Sequence, residues 1–113
     1  MGATLSRSKG WALGSDNPEI RFTAETDRMY LNTTSTCYAD DPLDGRKLRV
    51  DKSGSATTVV WNPWIAKAAA LPDFGNDEWT RMLCIETANA AENPVTLAPG
   101  EIHRMRAVIS VER

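Results

Sequence analysis

Residues 47–61 read KLRVDKSGSATTVVW and hold the pattern that decides the fold. Two runs that contain β-branched and apolar residues, 47–51 and 57–61, flank the turn-forming Ser53-Gly54-Ser55. Runs of about four to eight residues of this kind, separated by turn residues, are typical of strands. This stretch therefore predicts short strands joined by a turn.

The same pattern continues on both sides of this stretch. Asp44-Gly45, Asn93-Pro94 and Pro99-Gly100 separate further short runs. Short strands at regular spacing with such turn signals predict an all-β antiparallel sandwich or barrel. We expect strands at residues 20–24, 29–33, 36–38, 47–51, 57–61, 82–87, 95–97 and 105–111.

One segment, residues 63–71, breaks the β pattern. It is alanine-rich and begins with Pro63, which suits a first helical turn, and it ends before Pro72. We expect one short helix near residues 64–71. It lies in a long connection from Trp61 to about Arg81, and loops of that length tend to be functional.

Length and charge exclude several classes of protein. The chain has 113 residues with 13 Lys+Arg and 15 Asp+Glu, so it forms one domain at most and has no basic surface for nucleic acid. No apolar run approaches the roughly 20 residues that span a bilayer, so no membrane partner is expected. We predict a polar lead-in at residues 1–19 and a β-domain at residues 20–113. The strands form either a small two-sheet domain or part of a larger sheet system.

The cysteines and the single histidine predict no metal site. Cys37 and Cys84 lack metal-ligand spacing and fit buried free thiols. His103 is the only histidine, which excludes a zinc site with several histidine ligands, and a hydrogen-bonded position at the start of the last strand suits it better. The first residues lack the apolar core of a signal peptide, so we expect a cytoplasmic protein.

Glu86 is the strongest candidate for chemistry. Residues 82–85 are all apolar, which indicates a strand buried on both faces. Alternation along that strand places Glu86 on the same face as Met82 and Cys84. A carboxylate at such a strand end is expected to be partly desolvated and to suit a general base near neutrality. The alternative is a rim glutamate in a salt bridge or already in water.

Two further groups have both a structural and a functional interpretation. Glu25-Thr26-Asp27-Arg28 predicts a bulge or turn with a local ion pair, or else a carboxylate that accepts hydrogen bonds from sugar-like hydroxyls. Trp61, Trp64 and Trp79 fall in or beside the long connection. They suit either a small additional core that anchors the loop or a polar ligand with an apolar face, such as a sugar.

Six motifs follow one another between about residues 21 and 111. They are Glu25-Thr26-Asp27-Arg28-Met29-Tyr30-Leu31-Asn32-Thr33, Lys52-Ser53-Gly54-Ser55, Val59-Val60-Trp61-Asn62-Pro63-Trp64, Asp73-Phe74-Gly75-Asn76-Asp77-Glu78-Trp79, Met82-Leu83-Cys84-Ile85-Glu86 and Leu97-Ala98-Pro99-Gly100-Glu101. Together they resemble the D-hexose-6-phosphate mutarotases, also called glucose-6-phosphate 1-epimerases, of the aldose 1-epimerase superfamily. The resemblance covers nearly all of this chain but only the C-terminal part of a family member.

The resemblance implies a fold and a reaction. The fold is a galactose-mutarotase-like antiparallel β-supersandwich, of which this chain supplies the C-terminal part. The reaction interconverts the α and β anomers of a hexose 6-phosphate by general acid/base ring opening, with no cofactor and no metal. By the same resemblance, Glu86 aligns with the general base and Asp27 with a carboxylate that contacts the sugar hydroxyls.

The chain departs from the family at the general acid. Family members use a histidine that precedes the motif at residues 25–30, whereas residues 1–24 contain none and His103 follows the base. The resemblance therefore implies impaired catalysis by this chain alone. A non-catalytic carbohydrate-binding β-domain and an inactive remnant are the alternatives, and an incomplete sheet implies self-association through uncovered strand edges.

Overall fold

The structure is a computed structural model that describes residues 3–6, 11–13, 19–22, 24–41 and 44–113. In these residues the chain forms nine strands, one α-helix and one 3₁₀ helix. None of the described helices is long and apolar enough to cross a membrane. The elements are β1 Ala3–Ser6, β2 Trp11–Leu13, β3 Glu19–Phe22, β4 Thr26–Tyr30, β5 Cys37–Asp41, β6 Arg46–Ser53, β7 Thr57–Asn62, α1 Trp64–Ala70, the 3₁₀ helix Glu78–Arg81, β8 Cys84–Ala88 and β9 Arg106–Glu112.

The described strands form two sheets. The six-stranded sheet has the order β2-β3-β1-β5-β6-β9, and the three-stranded sheet has the order β4-β7-β8. Strand β1 pairs in parallel with β3 and β5, and the other pairings are antiparallel. The predicted all-β class with one short helix is confirmed.

Both sheets contribute to one hydrophobic core. Phe22 from β3, Ala39 from β5 and Val60 from β7 are buried together. In β5 every second residue is buried, which is the burial pattern of a strand with one face on a core. The partly buried residues packed against this core are Tyr30, Leu48, Trp64, Leu83 and Ile85.

The turn between β6 and β7 requires glycine. Gly54 has φ +72°, and a Cβ at this position would collide with the carbonyl oxygen of Arg104. His103 Nε2 lies 2.6 Å from the Gly54 carbonyl oxygen and donates to it, because a carbonyl only accepts. His103 is therefore hydrogen-bonded, as predicted. This bond connects the residues that precede β9 to the turn, and β9 itself begins at Arg106.

Polar side chains reinforce the same turn. Lys52 Nζ donates to Ser55 Oγ at 3.2 Å and to the Thr57 carbonyl oxygen at 3.0 Å. Burial lowers the pKa of the Lys52 ammonium. The buried Ser55 hydroxyl donates to the Ala88 carbonyl oxygen at 2.6 Å, which links the turn to the end of β8.

Residues 25–28 do not form the predicted bulge or turn. Residues Thr26–Tyr30 form β4, and each of them pairs with a residue of β7. Asp27 and Arg28 then point to opposite faces of β4, so a local ion pair between them is not formed. Glu25 instead lies 3.5 Å from the Lys67 ammonium of α1.

Two other predicted strand boundaries also need correction. Residues 95–97 form no strand, and the flanking Pro94 and Pro99, which cannot donate to a β-ladder, limit any ladder there to a few residues. The first predicted strand ends at Phe22 rather than at residue 24. Strands β1 and β2 fall within residues 1–19, of which residues 1–2, 7–10 and 14–18 lie outside the described residues. The division into a lead-in at residues 1–19 and a β-domain at residues 20–113 stays a prediction.

Asn62 joins β7 to the long connection. Its side chain is fully buried, and its Nδ2 donates to the carbonyl oxygens of Trp79 and Met82 at 3.0 and 2.9 Å. Its Oδ1 accepts from the backbone N–H of Trp64 at 2.9 Å, where the chain has φ +62° and enters α1. One amide thus fixes both the start of α1 and the end of the 3₁₀ helix.

We expect Asn62→Ala to lower the free energy of unfolding by about 2–4 kcal/mol, because it leaves three backbone groups without their partner. Asn76→Ala, an exposed amide in the same connection, is the matched control and should change it by less than about 0.5 kcal/mol. Urea unfolding followed by tryptophan fluorescence measures both. Equal effects of the two substitutions would contradict this role of Asn62.

Candidate functional site

The register of the three-stranded sheet brings Asp27 and Glu86 onto one face. Residues directly opposite each other on paired strands point to the same side of a sheet, and so do residues two apart along a strand. We call this side the carboxylate face. Its members are Asp27, Trp61 and Cys84 in one row, and Met29, Val59 and Glu86 in the next.

The carboxylate face separates its two acidic residues by one strand. Asp27 lies in β4 and Glu86 in β8, with β7 between them. Two strand spacings of about 4.8 Å and an offset of two residues place their Cα atoms about 12 Å apart. Both side chains can therefore reach a ring-sized molecule lying over Val59 and Trp61.

This face is open to solvent. Asp27, Met29 and Glu86 are exposed, whereas Val59 and Trp61 are half-buried. On the opposite face of β7, Thr58, Val60 and Asn62 are buried against the core, so only one side of this sheet is available to a ligand.

The predicted desolvation of Glu86 is not observed. Its side chain is exposed because β8 is an edge strand of the three-stranded sheet, where solvent reaches it. Residues 82–85 are half-buried rather than buried on both faces. The predicted general base is thus on the surface of the sheet.

Cys84 reports on the electrostatics of the carboxylate face. Burial raises the pKa of its thiol, and the nearby Glu86 carboxylate raises it further. Both cysteines are free, as predicted, but Cys84 is only half-buried whereas Cys37 is buried. Burial also raises the pKa of Cys37. Neither thiol is a ready nucleophile at neutral pH.

The three tryptophans have different positions. The rings of Trp64 and Trp79 pack with centroids 4.5 Å apart and an interplanar angle of 49°, so this pair forms the small additional core that anchors the connection. Trp61 belongs instead to β7 and lies opposite Asp27. Among the three, Trp61 has the position that suits an apolar sugar surface.

Sequence reasoning missed two residues of the carboxylate face, Met29 and Val59. Their place depends on which residue of β4 faces which residue of β7, and no local pattern encodes that register. The only signal was the alternation within each strand.

A cavity of about 340 Å³ lies elsewhere, on the core side of β8. Its charged wall includes Asp41 and Arg46, joined by an Nε–Oδ2 ion pair of 3.1 Å. The cavity is separated from the carboxylate face by the three-stranded sheet itself. The apolar wall of the cavity consists of Ala39, Leu48, Val50, Met82, Leu83, Ile85 and Ile109.

Among the described residues, no group of three or more His, Cys, Asp or Glu side chains could hold a metal ion.

We expect Glu86→Gln to speed alkylation of Cys84 by iodoacetamide near neutral pH. Removing the neighbouring negative charge lowers the pKa of the thiol and increases its thiolate fraction. Peptide mass spectrometry measures the rate, with Cys37 as the internal reference and Glu101→Gln as the matched control. An unchanged or slower rate in Glu86→Gln would show that the two side chains do not share a face.

Comparison with known proteins identifies the family. The profile of the family described as Aldose 1-epimerase matches residues 2–110. A protein of Cenchrus ciliaris named "Putative glucose-6-phosphate 1-epimerase" is 44% identical over 91 residues, which are 80% of this chain and 27% of that protein. Proteins with the same name are 27% identical over 92 residues in Escherichia coli K12 (81% and 31% of the two chains) and 30% identical over 69 residues in Salmonella typhimurium LT2 (61% and 24%).

The chain spans about a quarter to a third of the length of these curated relatives. No solved structure shows a significant match to it. Because the family profile covers nearly the whole sequence, the chain belongs to the aldose 1-epimerase family.

Proposed function

We propose that the carboxylate face takes part in the interconversion of the α and β anomers of a hexose 6-phosphate. The observation that carries this proposal is the register that places Asp27, Trp61 and Glu86 on one face of the three-stranded sheet. The names of the relatives support the substrate class. The chain spans only part of those relatives, so the epimerase activity of a complete enzyme is likewise proposed for it.

In the proposed reaction, Glu86 is the general base. Its carboxylate takes the proton from the C1 hydroxyl while a general acid protonates the ring oxygen, and the bond between C1 and the ring oxygen breaks to give the open-chain aldehyde. Rotation about C1–C2 followed by reclosure gives the other anomer and reverses both proton transfers. No electrons are transferred and no proton is gained or lost overall.

The role proposed for Asp27 is binding. Its carboxylate accepts hydrogen bonds from sugar hydroxyls, and charge-assisted bonds of this kind are stronger than neutral ones. Trp61, which lies opposite Asp27, supplies an apolar surface for the C–H groups of the ring. Together these residues hold the sugar so that C1 faces Glu86.

We propose that the 113 residues by themselves catalyse weakly. Residues 1–24 contain no histidine, so the general acid implied by the family resemblance has no counterpart there. The absence of a positioned acid costs about 10²–10⁴-fold in rate. The exposed Glu86 also lacks the water-excluded surroundings in which such groups work best.

A carbohydrate-binding domain without catalysis is the second candidate. The half-buried Trp61 between two exposed carboxylates favours it, because binding a sugar needs an aromatic surface and acceptors but no general acid. An inactive remnant would neither bind the sugar nor catalyse the reaction. For either candidate we keep the cytoplasm as the expected compartment, and the two free cysteines agree with a reducing one.

A chimera tests the catalytic proposal. The 91 residues that align with the Cenchrus ciliaris relative replace the matching segment of that protein, and NMR exchange spectroscopy measures the conversion between the anomers of glucose 6-phosphate. We expect the chimera to be active and Glu86→Gln to lower its exchange rate by at least about 100-fold. Glu101→Gln, an exposed carboxylate outside the sheets, is the matched control and should keep full activity.

Asp27→Asn in the same chimera should raise KM about tenfold with a smaller effect on kcat, because it weakens binding rather than proton transfer. A folded but inactive chimera, or an active one that keeps its rate in Glu86→Gln, would contradict the catalytic proposal.

Saturation-transfer NMR of the 113-residue chain with glucose 6-phosphate then separates the other candidates. Binding without faster exchange supports the binding domain, and no binding supports the remnant.

We also propose that the chain self-associates through uncovered strand edges. Four strands, β2, β9, β4 and β8, are at the ends of the two described sheets. An unpaired strand edge is a template for another chain.

A further inference from the structure

Strand β9 presents the longest edge of the described sheets. One edge of β9 pairs with β6 over seven residues, from Arg106 to Glu112. Its other edge pairs with no described strand, because β9 is the last strand of the six-stranded sheet. All seven residues are exposed, with Ile109 at 71% and Val111 at 50%. A long edge strand with an apolar centre and no proline is prone to pair with another strand.

The charges of β9 are arranged symmetrically. The strand reads RAVISVE, so Arg106 and Glu112 each lie three residues from Ile109. When two copies of β9 pair antiparallel with Ile109 opposite itself, Arg106 of each copy faces Glu112 of the other. Parallel pairing in register would place like charges opposite each other, which is destabilising. The charges therefore select the antiparallel arrangement.

We propose that two copies of this chain pair antiparallel through β9, about a twofold axis at Ile109. The proposal specifies the edge and the partner of the self-association proposed above, and it does not depend on the catalytic proposal. The pairing is isologous, because each copy contributes the same strand. In the dimer, the free edge of β9 in each copy is paired. At this edge, assembly stops at two chains.

The apolar face of β9 gains most from this pairing. Ile109 pairs with the buried Val50 in β6, and Val111 pairs with Leu48, so these residues continue the core-side face of the sheet. In the dimer, Ile109 packs against its own counterpart, and Ala107 of each copy packs beside Val111 of the other. The wall of the 340 Å³ cavity, which includes Ile109, then extends into the second chain.

The small size of the interface limits the strength of the dimer. One strand pair buries less than the roughly 1,600 Å² of a standard interface, so we expect a Kd of about 10–1,000 µM. The charged groups at each end fix the register more than they add affinity. In the single chain, Glu112 Oε1 lies 3.7 Å from Arg49 Nη1 and is half-exposed, which leaves it accessible to a second partner.

Sedimentation equilibrium of the 113-residue chain between about 5 and 500 µM tests this proposal. We expect a reversible monomer–dimer equilibrium. Arg106→Glu places two carboxylates opposite each other at both ends and should raise the Kd about tenfold. Adding Glu112→Arg to it restores opposite charges in the reversed order and should bring the Kd back to within about threefold. Arg104→Glu makes the same charge change outside β9 and should leave the Kd unchanged.

Circular dichroism first establishes that each variant is folded. A chain that stays monomeric up to 500 µM would overturn the proposal, and so would open-ended aggregation. Equal Kd values for the chain, Arg106→Glu and the double variant would also overturn it, because the register would then be different. None of these results bears on Glu86, since the chimera experiment measures anomer exchange and not assembly.

Discussion

Strand β7 is hydrogen-bonded on both of its edges, to β4 and to β8, and this double pairing is the constraint on which the rest of the site depends. A strand alternates its side chains with a period of two, so the register on each edge decides which residues of three separate segments share a face. The buried face with Val60 commits β7 to one orientation. Trp61, the next residue along β7, therefore lies on the other face, opposite Asp27.

The polar groups around β7 hold this strand at both ends. At one end, the Asn62 amide fixes the entry to α1 and the 3₁₀ helix through three backbone partners. At the other, Ser55 and Thr57 hydroxyls bond the carbonyl oxygens of Ala88 and Ala90, which hold the end of β8 and the residues after it. Because these groups are buried, each lost bond would leave a partner unsatisfied. The three-stranded sheet, which carries both carboxylates, is thus held in place by buried hydrogen bonds at the two ends of β7.

Local patterns were enough to predict part of this structure. The runs at 47–51 and 57–61 became β6 and β7, and the alanine-rich segment became α1, because each element's own residues satisfy its period. Alternation alone also placed Glu86 with Cys84. The run at 95–97 formed no strand because the flanking Pro94 and Pro99, which cannot donate to a β-ladder, limit any ladder there to a few residues. Strands β1 and β2, of four and three residues, were missed because segments that short have almost no periodic signal.

The relation between Asp27 and Glu86 could not be predicted from local patterns. It depends on pairings between residues more than twenty positions apart along the chain, and residues 25–28 looked like a turn because two charges adjoin there. Once paired, those charges occupy opposite faces, and only one of them joins the site. The exposure of Glu86 is also non-local, since it follows from the edge position of β8 rather than from the apolar residues before it.

The most direct test of this account is the register itself, measured by cross-strand backbone NOEs in the labelled 113-residue chain. The account predicts contacts that place Val59 opposite both Met29 and Glu86, and Trp61 opposite both Asp27 and Cys84. A slip of one residue on either edge would turn one carboxylate to the opposite face. NOEs that place Val60 opposite Glu86, or Val60 opposite Asp27, would therefore contradict the shared face on which the proposed chemistry depends.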